Sequence, residues 1–370
     1  MDRQVFTAAC ADYTPDAVRR AAVRMLAAFG GAESFLKKGR RVVIKPNLLM
    51  ARQPEGATTT HPEVVEAVAA LFTEAGATVI IADSPGGPYN ALTLQRVYRA
   101  CGMEEAARRS GARLNKDCSS QKVEFDGMRK REFDILTPVL QADVLINIGK
   151  MKTHMLTYFT GAVKNCYGAV PGLTKAAYHS RLPGQQEFCR MLVDLCRCVA
   201  PDLSIIDGVE GMDGRGPSGG RVRRAGVLIA SRNPFAADLA AMHICGLTPE
   251  RSPVHTFASA QGLTPAHPDG LEMTGDCVPP LSEPFLPPAG KGSGRESVIN
   301  RLPAKWRQPL RRAMIAAPRV TDRCIGCGSC ARSCPRHAIV IRQGRAYVQG
   351  GDCIRCYCCH ELCPVRAIQI

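Results

Sequence analysis

The sequence predicts a large α/β domain containing a parallel sheet, with room for two lobes, followed by a small α+β module. Three observations predict it. Strand-like and helix-like patterns alternate through most of the chain, a stretch rich in Pro, Gly and Ser interrupts it from Val278, and regularly spaced cysteines crowd its end from Cys324.

The elements follow in order. "RRVVIKPN" reads as a buried strand, "HPEVVEAVAALFTEAGA" as an amphipathic helix ending near Gly76, and "TVIIADSPGG" as the next strand with a Gly-rich exit. Strand, helix, strand implies parallel pairing. The alternation continues through "ADVLINIGKMKTH", the helical "PGQQEFCRMLVDLCRCVAP", "LSIIDGVEGMDG", "AGVLIAS" and the helix "NPFAADLAAMHICG". The α/β domain therefore spans residues 1–278. Residues 279–318 read as a Pro/Gly-rich linker and a basic arm, with Arg301, Lys305, Arg307, Arg311 and Arg312 in the arm and Arg319 continuing the basic run just beyond it. That arm is either a solvated helix face or a docking element for an acidic partner or membrane surface. Residues 319–370 form the terminal module.

Composition narrows the function classes. A chain of 370 residues with 45% hydrophobic and 22% charged residues can bury a substantial core. No apolar run approaches the roughly 18 residues of a spanning helix, and "MDRQVFTAAC" lacks a signal-peptide core, so a cytoplasmic protein without a transmembrane segment is expected. Eighteen cysteines in so large a chain read as reduced thiols rather than disulfides. The formal charge of +15 suits an anionic substrate or acidic protein, while 5% aromatic residues provide no stacking platform for nucleic acid.

Cys324, Cys327, Cys330 and Cys334 read C-x-x-C-x-x-C-x-x-x-C-P, and Cys353, Cys356, Cys359 and Cys363 repeat it. This is the spacing of a bacterial two-cluster ferredoxin, in which the fourth cysteine of each ladder serves the other cluster. The expected ligand sets for two 4Fe-4S clusters are Cys324, Cys327, Cys330 and Cys363 for one, and Cys353, Cys356, Cys359 and Cys334 for the other. Structural zinc fits less well, since zinc modules usually pair C-x-x-C knuckles. Two clusters at about −2 each leave a net charge of about +11. "AIVIRQGRAYVQG" is expected to form a hairpin turning at Gly344, and "AIQI" to close the module. Cys358 is assigned no ligand role.

In the large domain, polar residues gather where parallel sheets build their sites, after the strands. Lys45, Asn47 and Asp83 stand there. The densest group is "GKMKTHMLTYFTGAVKNCYG", with Lys150, Lys152, His154, Lys164 and Asn165, followed by Lys175 and His179. Converging lysines bind carboxylate or phosphate, and a histidine moves protons. Lys152, His154, Lys164 and His179 are the catalytic candidates; Lys45, Asn47, His61, Asp83, Lys150, Asn165, Asp207 and Asp213 are the substrate-binding ones. His61 either caps a helix or reaches the cleft. Asp207, Glu210 and Asp213 are expected on a Gly-rich loop, "DGVEGMDGRGPSGG". Asp238 is expected to pair with nearby backbone, and Cys189, Cys196 and Cys198 to pack as small hydrophobes.

At "KPN", "HP", Asp83, "KMKTH", "VKNCYG", His179 and "DGVEGMDGRGP" the sequence resembles the domain-of-unknown-function family 362, often fused to a two-cluster ferredoxin. The resemblance covers most of the chain. It implies an iron–sulfur protein of anaerobic-type metabolism and a fold likeness to nickel-dependent lactate racemases. The ferredoxin resemblance, over about residues 319–370, implies one-electron transfer at low potential.

The leading expectation is a redox protein whose clusters exchange electrons with an anionic-substrate site in the α/β domain or with a redox partner protein. The alternatives are a non-redox isomerase, lyase or ligase with structural or sensory clusters, and a non-catalytic electron-transfer adaptor.

Overall fold

The computed structural model describes residues 2–182, 184–288, 302, 306, 309–310 and 315–370. The large domain begins β1 (Gln4–Ala9), α1 (Pro15–Ala28), α2 (Gly31–Phe35), β2 (Arg41–Lys45), α3 (Pro62–Glu74), β3 (Thr78–Ile81), α4 (Ala91–Ala100), α5 (Met103–Ser110) and β4 (Arg113–Leu114). It continues through β5 (Ser120–Glu124), β6 (Glu132–Leu136), α6 (Thr137–Leu140), β7 (Val144–His154), β8 (Tyr158–Thr160), α7 (Ala162–Asn165), α8 (Gly172–Arg181) and α9 (Gln185–Val199). It closes with β9 (Leu203–Asp213), β10 (Arg221–Ser231), α10 (Pro234–Ile244), α11 (Pro253–Ala260) and β11 (Glu272–Gly275).

Among the described residues, nine strands form one mixed, mostly parallel sheet in the order β11-β1-β10-β9-β7-β2-β3-β4, with β8 added along β7. β5 and β6 form a separate hairpin. Helices cover both faces because the central strands are apolar on both. On β2, Val42 and Ile44 join the core under α1, α3 and α4, while Val43 joins the core with α9 on the other side. That division is the two-residue alternation of a strand.

Helix starts follow local chemistry. At α3, Pro62 occupies the first turn and His61 Nδ1 accepts the Glu63 N–H at 3.3 Å. At α10, the Asn233 side chain accepts the Phe235 and Ala236 N–H groups. Inside α10, Asp238 accepts the Ala162 and Val163 N–H groups at 2.5 and 3.2 Å, the backbone pairing expected for it.

The Gly-rich segment departs from expectation. Residues Asp207 to Asp213 are not a loop but the second half of β9, paired with β10 as far as Asp213↔Arg221. The glycines serve packing: a Cβ at Gly208 would lie 2.5 Å from Met151 Cε, and one at Gly211 2.7 Å from the Met151 carbonyl. The opening strand β1 and the partnership of β10 with both β1 and β9 make part of the sheet antiparallel.

Of the stretch expected as linker, residues 278–288 are extended but anchored. The Leu281 and Phe285 N–H groups bond the Ile244 and Cys245 carbonyls, and the Phe285 ring is buried. Arg301, Lys305, Arg307, Arg311 and Arg312 lie outside the described residues.

The terminal module pairs β12 (Arg319–Val320) with β15 (Ile368–Gln369), and β13 (Ile339–Arg342) with β14 (Arg345–Val348). The hairpin turns through Gln343 and Gly344, both at positive φ. Short helices Ser329–Arg332 and Cys358–Glu361 complete it.

Candidate functional site

Register sets the site. Lys45, the last residue of β2, pairs with Asn147 in the middle of β7, so β7 runs on past its neighbour and carries Lys150, Lys152 and His154 beyond that edge. These three alternate with Met151 and Thr153 and so face one way. All are buried.

Around them lies a polar network. Lys45 Nζ meets Asp83 Oδ1 at 2.7 Å, and Asp83 Oδ2 accepts the Leu48 N–H at 2.8 Å. Lys152 Nζ donates to Asn47 Oδ1 at 2.7 Å and the Thr58 carbonyl at 2.8 Å. Asn47 Nδ2 donates to Asn165 Oδ1, and Asn165 Nδ2 to Asn147 Oδ1. Burial, then the nearby Lys164 and Lys150 cations, hold Lys152 well below the usual lysine range.

Against this network the small module closes a cavity. The large domain contributes Asn47, Asp83, Lys164, Asn165, Lys175 and His179, while the module contributes Ser333, Cys358, Glu361 and Leu362. Gly86 permits the approach, since a Cβ there would lie 2.3 Å from Leu362 Cδ2. Ser218 Oγ donates to the Glu361 carbonyl at 2.7 Å, and Arg52 to the Cys363 carbonyl at 3.3 Å.

His154 links the two units. Its Nδ1 accepts the Leu156 and Thr157 N–H groups, which leaves the proton on Nε2. That nitrogen lies 3.1 Å from Glu361 Oε1. Burial, then Lys164, lowers His154 to about 4. Burial alone would raise the Glu361 carboxyl, yet His154 and the Lys164 ammonium hold it below the usual range.

Lys164 faces the cavity half-buried, 6.0 Å from the Tyr167 ring centroid and without a carboxylate partner among the described residues. His179 stacks on Phe188 at 4.2 Å, and burial lowers it to about 4. Lys175, held by the Ser84 and Pro85 carbonyls, is lowered to about 7, first by burial and also by Lys45 and Lys164.

Of the catalytic candidates, Lys164 and His179 line the cavity, whereas Lys152 and His154 stand behind Asn47 and Glu361. Asn47, Asp83 and Asn165 also line it, and Lys45 backs Asp83. Three others gather elsewhere. Lys150 Nζ meets Asp207 Oδ2 at 2.8 Å and the Tyr13 hydroxyl at 2.6 Å, while His61 stacks on Tyr13 at 3.6 Å and donates its N–H to Asp207. Asp213 is paired with Arg221 and Arg223 and accepts the Leu286 N–H. The sequence reading missed Cys358 and Glu361 at the cavity, and no signal in the chain announced them. Lys175 was visible beside the lysine group.

All eighteen cysteines are free of disulfides. Burial pushes Cys330 up to about 11, reinforced by Cys327, Cys363 and Cys324 close by. Cys353 is raised by burial and by Cys356 and Cys334. The fourth cysteine of each ladder thus lies beside the other ladder.

The family described as Domain of unknown function (DUF362) matches residues 42–243, and a 4Fe-4S dicluster domain matches residues 323–367. A thylakoid-associated protein of Synechocystis sp. is 36% identical over 266 residues, covering 70% of this chain and 78% of its own length. A Thermotoga maritima protein of known crystal structure shares 10% identity at a TM-score of 0.32, over 54% of this chain and 51% of that one. The lactate racemase apoprotein of Thermoanaerobacterium thermosaccharolyticum shares 14% at 0.42, over 65% and 56%. This chain spans about half the length of those two structures. No described helix is long and apolar enough to cross a membrane.

The terminal residues fit an iron–sulfur group. Backbone N–H groups of Ala338, Ala346 and Ala367 point at the sulfurs of Cys334, Cys324 and Cys363, at 3.2, 3.4 and 3.1 Å, as donors that stabilise thiolate charge. Among the described residues no three His, Cys, Asp or Glu side chains close around a single metal ion. The dicluster match supports iron–sulfur cluster binding by the module, and by its match over residues 42–243 the chain belongs to the family described as Domain of unknown function (DUF362).

Proposed function

We propose that this is an iron–sulfur redox protein that moves electrons between two 4Fe-4S clusters and an anionic substrate held in the cavity between its two units. The ligand sets are Cys324, Cys327, Cys330 and Cys363, and Cys353, Cys356, Cys359 and Cys334. One observation carries the reading: the cavity has the Lys164 ammonium, which forms no ion pair among the described residues, on one wall and the second cysteine ladder, through Cys358 and Glu361, on the other. The clusters supply single electrons at low potential.

This chain's residues do the rest. Lys164 pairs with the substrate's anionic group, in a setting where little water screens the charge. Asn47 and Asn165 orient its polar atoms, with Lys152 fixing Asn47 from behind. Lys175, lowered to about 7, holds or releases a proton at neutral pH, and His179 stands neutral beside it as acceptor. The His154–Glu361 contact keeps the module seated against the cavity.

The test is anaerobic purification, iron and sulfide quantification, and electron paramagnetic resonance after dithionite reduction, followed by a screen of carboxylates and phosphate esters for cluster reoxidation. About eight irons per chain are expected. Lys164→Ala should abolish substrate-dependent reoxidation with iron content unchanged. Turnover that survives Cys→Ser changes in both ladders of a folded chain would overturn the redox reading.

A further inference from the structure

The two ladders face different surroundings. The second presents Cys358, Glu361 and Leu362 to the cavity. The first has the one cysteine of the predicted ligand sets that is exposed, Cys327, near Ile325, which is 63% exposed. Its loop rests on the hairpin tip: a Cβ at Gly326 would lie 2.4 Å from the Gly344 carbonyl, and the Ala346 N–H bonds Cys324 Sγ. Arg342 and Arg345 pair across that tip, Arg323 precedes Cys324, and Arg332 donates to the Cys327 carbonyl at 3.1 Å. Asp322 is the acid nearest this face in sequence, and Arg345 pairs with it at 2.9 Å.

We infer that the face around Ile325 and Cys327, rimmed by Arg323, Arg332, Arg342 and Arg345, is the docking site of a small acidic electron-carrier protein, which exchanges electrons with this chain at the first cysteine ladder. The inference rests on the redox reading above and adds its partner. An exposed apolar centre with an arginine rim matches the composition of protein interfaces. Arginine-rich fields also steer acidic partners to the contact, and the exposed Cys327 places a predicted ligand at the meeting point. The exchange is a single-electron transfer: the carrier is oxidised by one electron and this protein reduced by one, with no bond made or broken.

The experiment uses the full, iron-loaded chain under argon and an acidic two-cluster ferredoxin as probe. Association is followed by stopped-flow and calorimetry between about 50 and about 300 mM salt. The expected result is an on-rate that falls steeply with salt and falls at least about ten-fold in Arg323→Glu/Arg342→Glu. The iron content and resonance spectrum of the variant should be unchanged. Binding indifferent to salt and to the variant, or no association with the probe, would overturn the inference. So would binding only to phosphatidylglycerol vesicles, which would make the face a membrane contact. Loss of iron from the wild-type chain would instead strike the redox reading itself, so the two failures are distinguishable.

Discussion

Replacing Asp83 by Ala tests whether the polar floor of the cavity is held by its buried ion pair. Asp83 accepts from Lys45 Nζ at 2.7 Å and from the Leu48 N–H at 2.8 Å, and both charged side chains are shut off from water. In the variant, Lys45 retains only a long contact to the Pro46 carbonyl at 3.4 Å. Removing one member of a buried pair costs about 3 to 5 kcal/mol, and the orphaned Leu48 N–H adds about 1 to 3 kcal/mol. Replacing the pair together, as Lys45→Met/Asp83→Leu, removes the uncompensated charge and should leave only the Leu48 loss. The assay is urea unfolding of the full chain followed by circular dichroism, with iron measured in parallel. The chain has two units and bound iron, so midpoint shifts of the large-domain transition are compared rather than a single global free energy. A shift worth under about 1 kcal/mol for Asp83→Ala, or a double variant no better than the single, would refute the reasoning.

Gly168→Ala should destabilise by about 1 to 3 kcal/mol in the same assay, because its Cβ would lie 2.0 Å from Asp83 Oδ1 and 2.4 Å from Lys45 Nζ. His61 and His179 are both pushed down to about 4 by burial, so the unfolded chain takes up protons that the native chain refuses. Their contribution is intact above about pH 6.5 and is lost as pH falls toward 4, with a limiting slope of about 3 kcal/mol per pH unit; thermal melts between pH 7 and 5 should show it, less steeply in His179→Phe. The Cys358 thiol hydrogen-bonds the Cys356 sulfur, and Cys358→Ala should retain iron while lowering the potential of the second-ladder cluster by about 20 to 60 mV in a redox titration, the equivalent of about 0.5 to 1.5 kcal/mol for one electron. An unchanged potential would remove Cys358 from that role.

The sequence by itself determined the features that repeat locally. Apolar runs such as Val42–Ile44 and Val144–Ile146 announce buried strands, and the helix beginning after His61 announces itself through Pro62 and its apolar face. The cysteine spacing is a local code as well, since the loop that wraps a cluster spans only a few residues. The Gly-rich segment misled because glycine also marks close packing inside a strand, where Met151 crowds Gly208 and Gly211. Only the tertiary structure decided which polar groups meet. Lys150 and Lys152 lie two residues apart, yet one serves Tyr13 and Asp207 and the other Asn47 and Thr58. Glu361 and His154 are separated by more than half the chain, and their meeting beside Lys164 depends on how the module seats against Gly86, Arg52 and Ser218. Spacing along a chain fixes what a few consecutive residues can do, whereas contact between distant segments follows from the packing of whole surfaces.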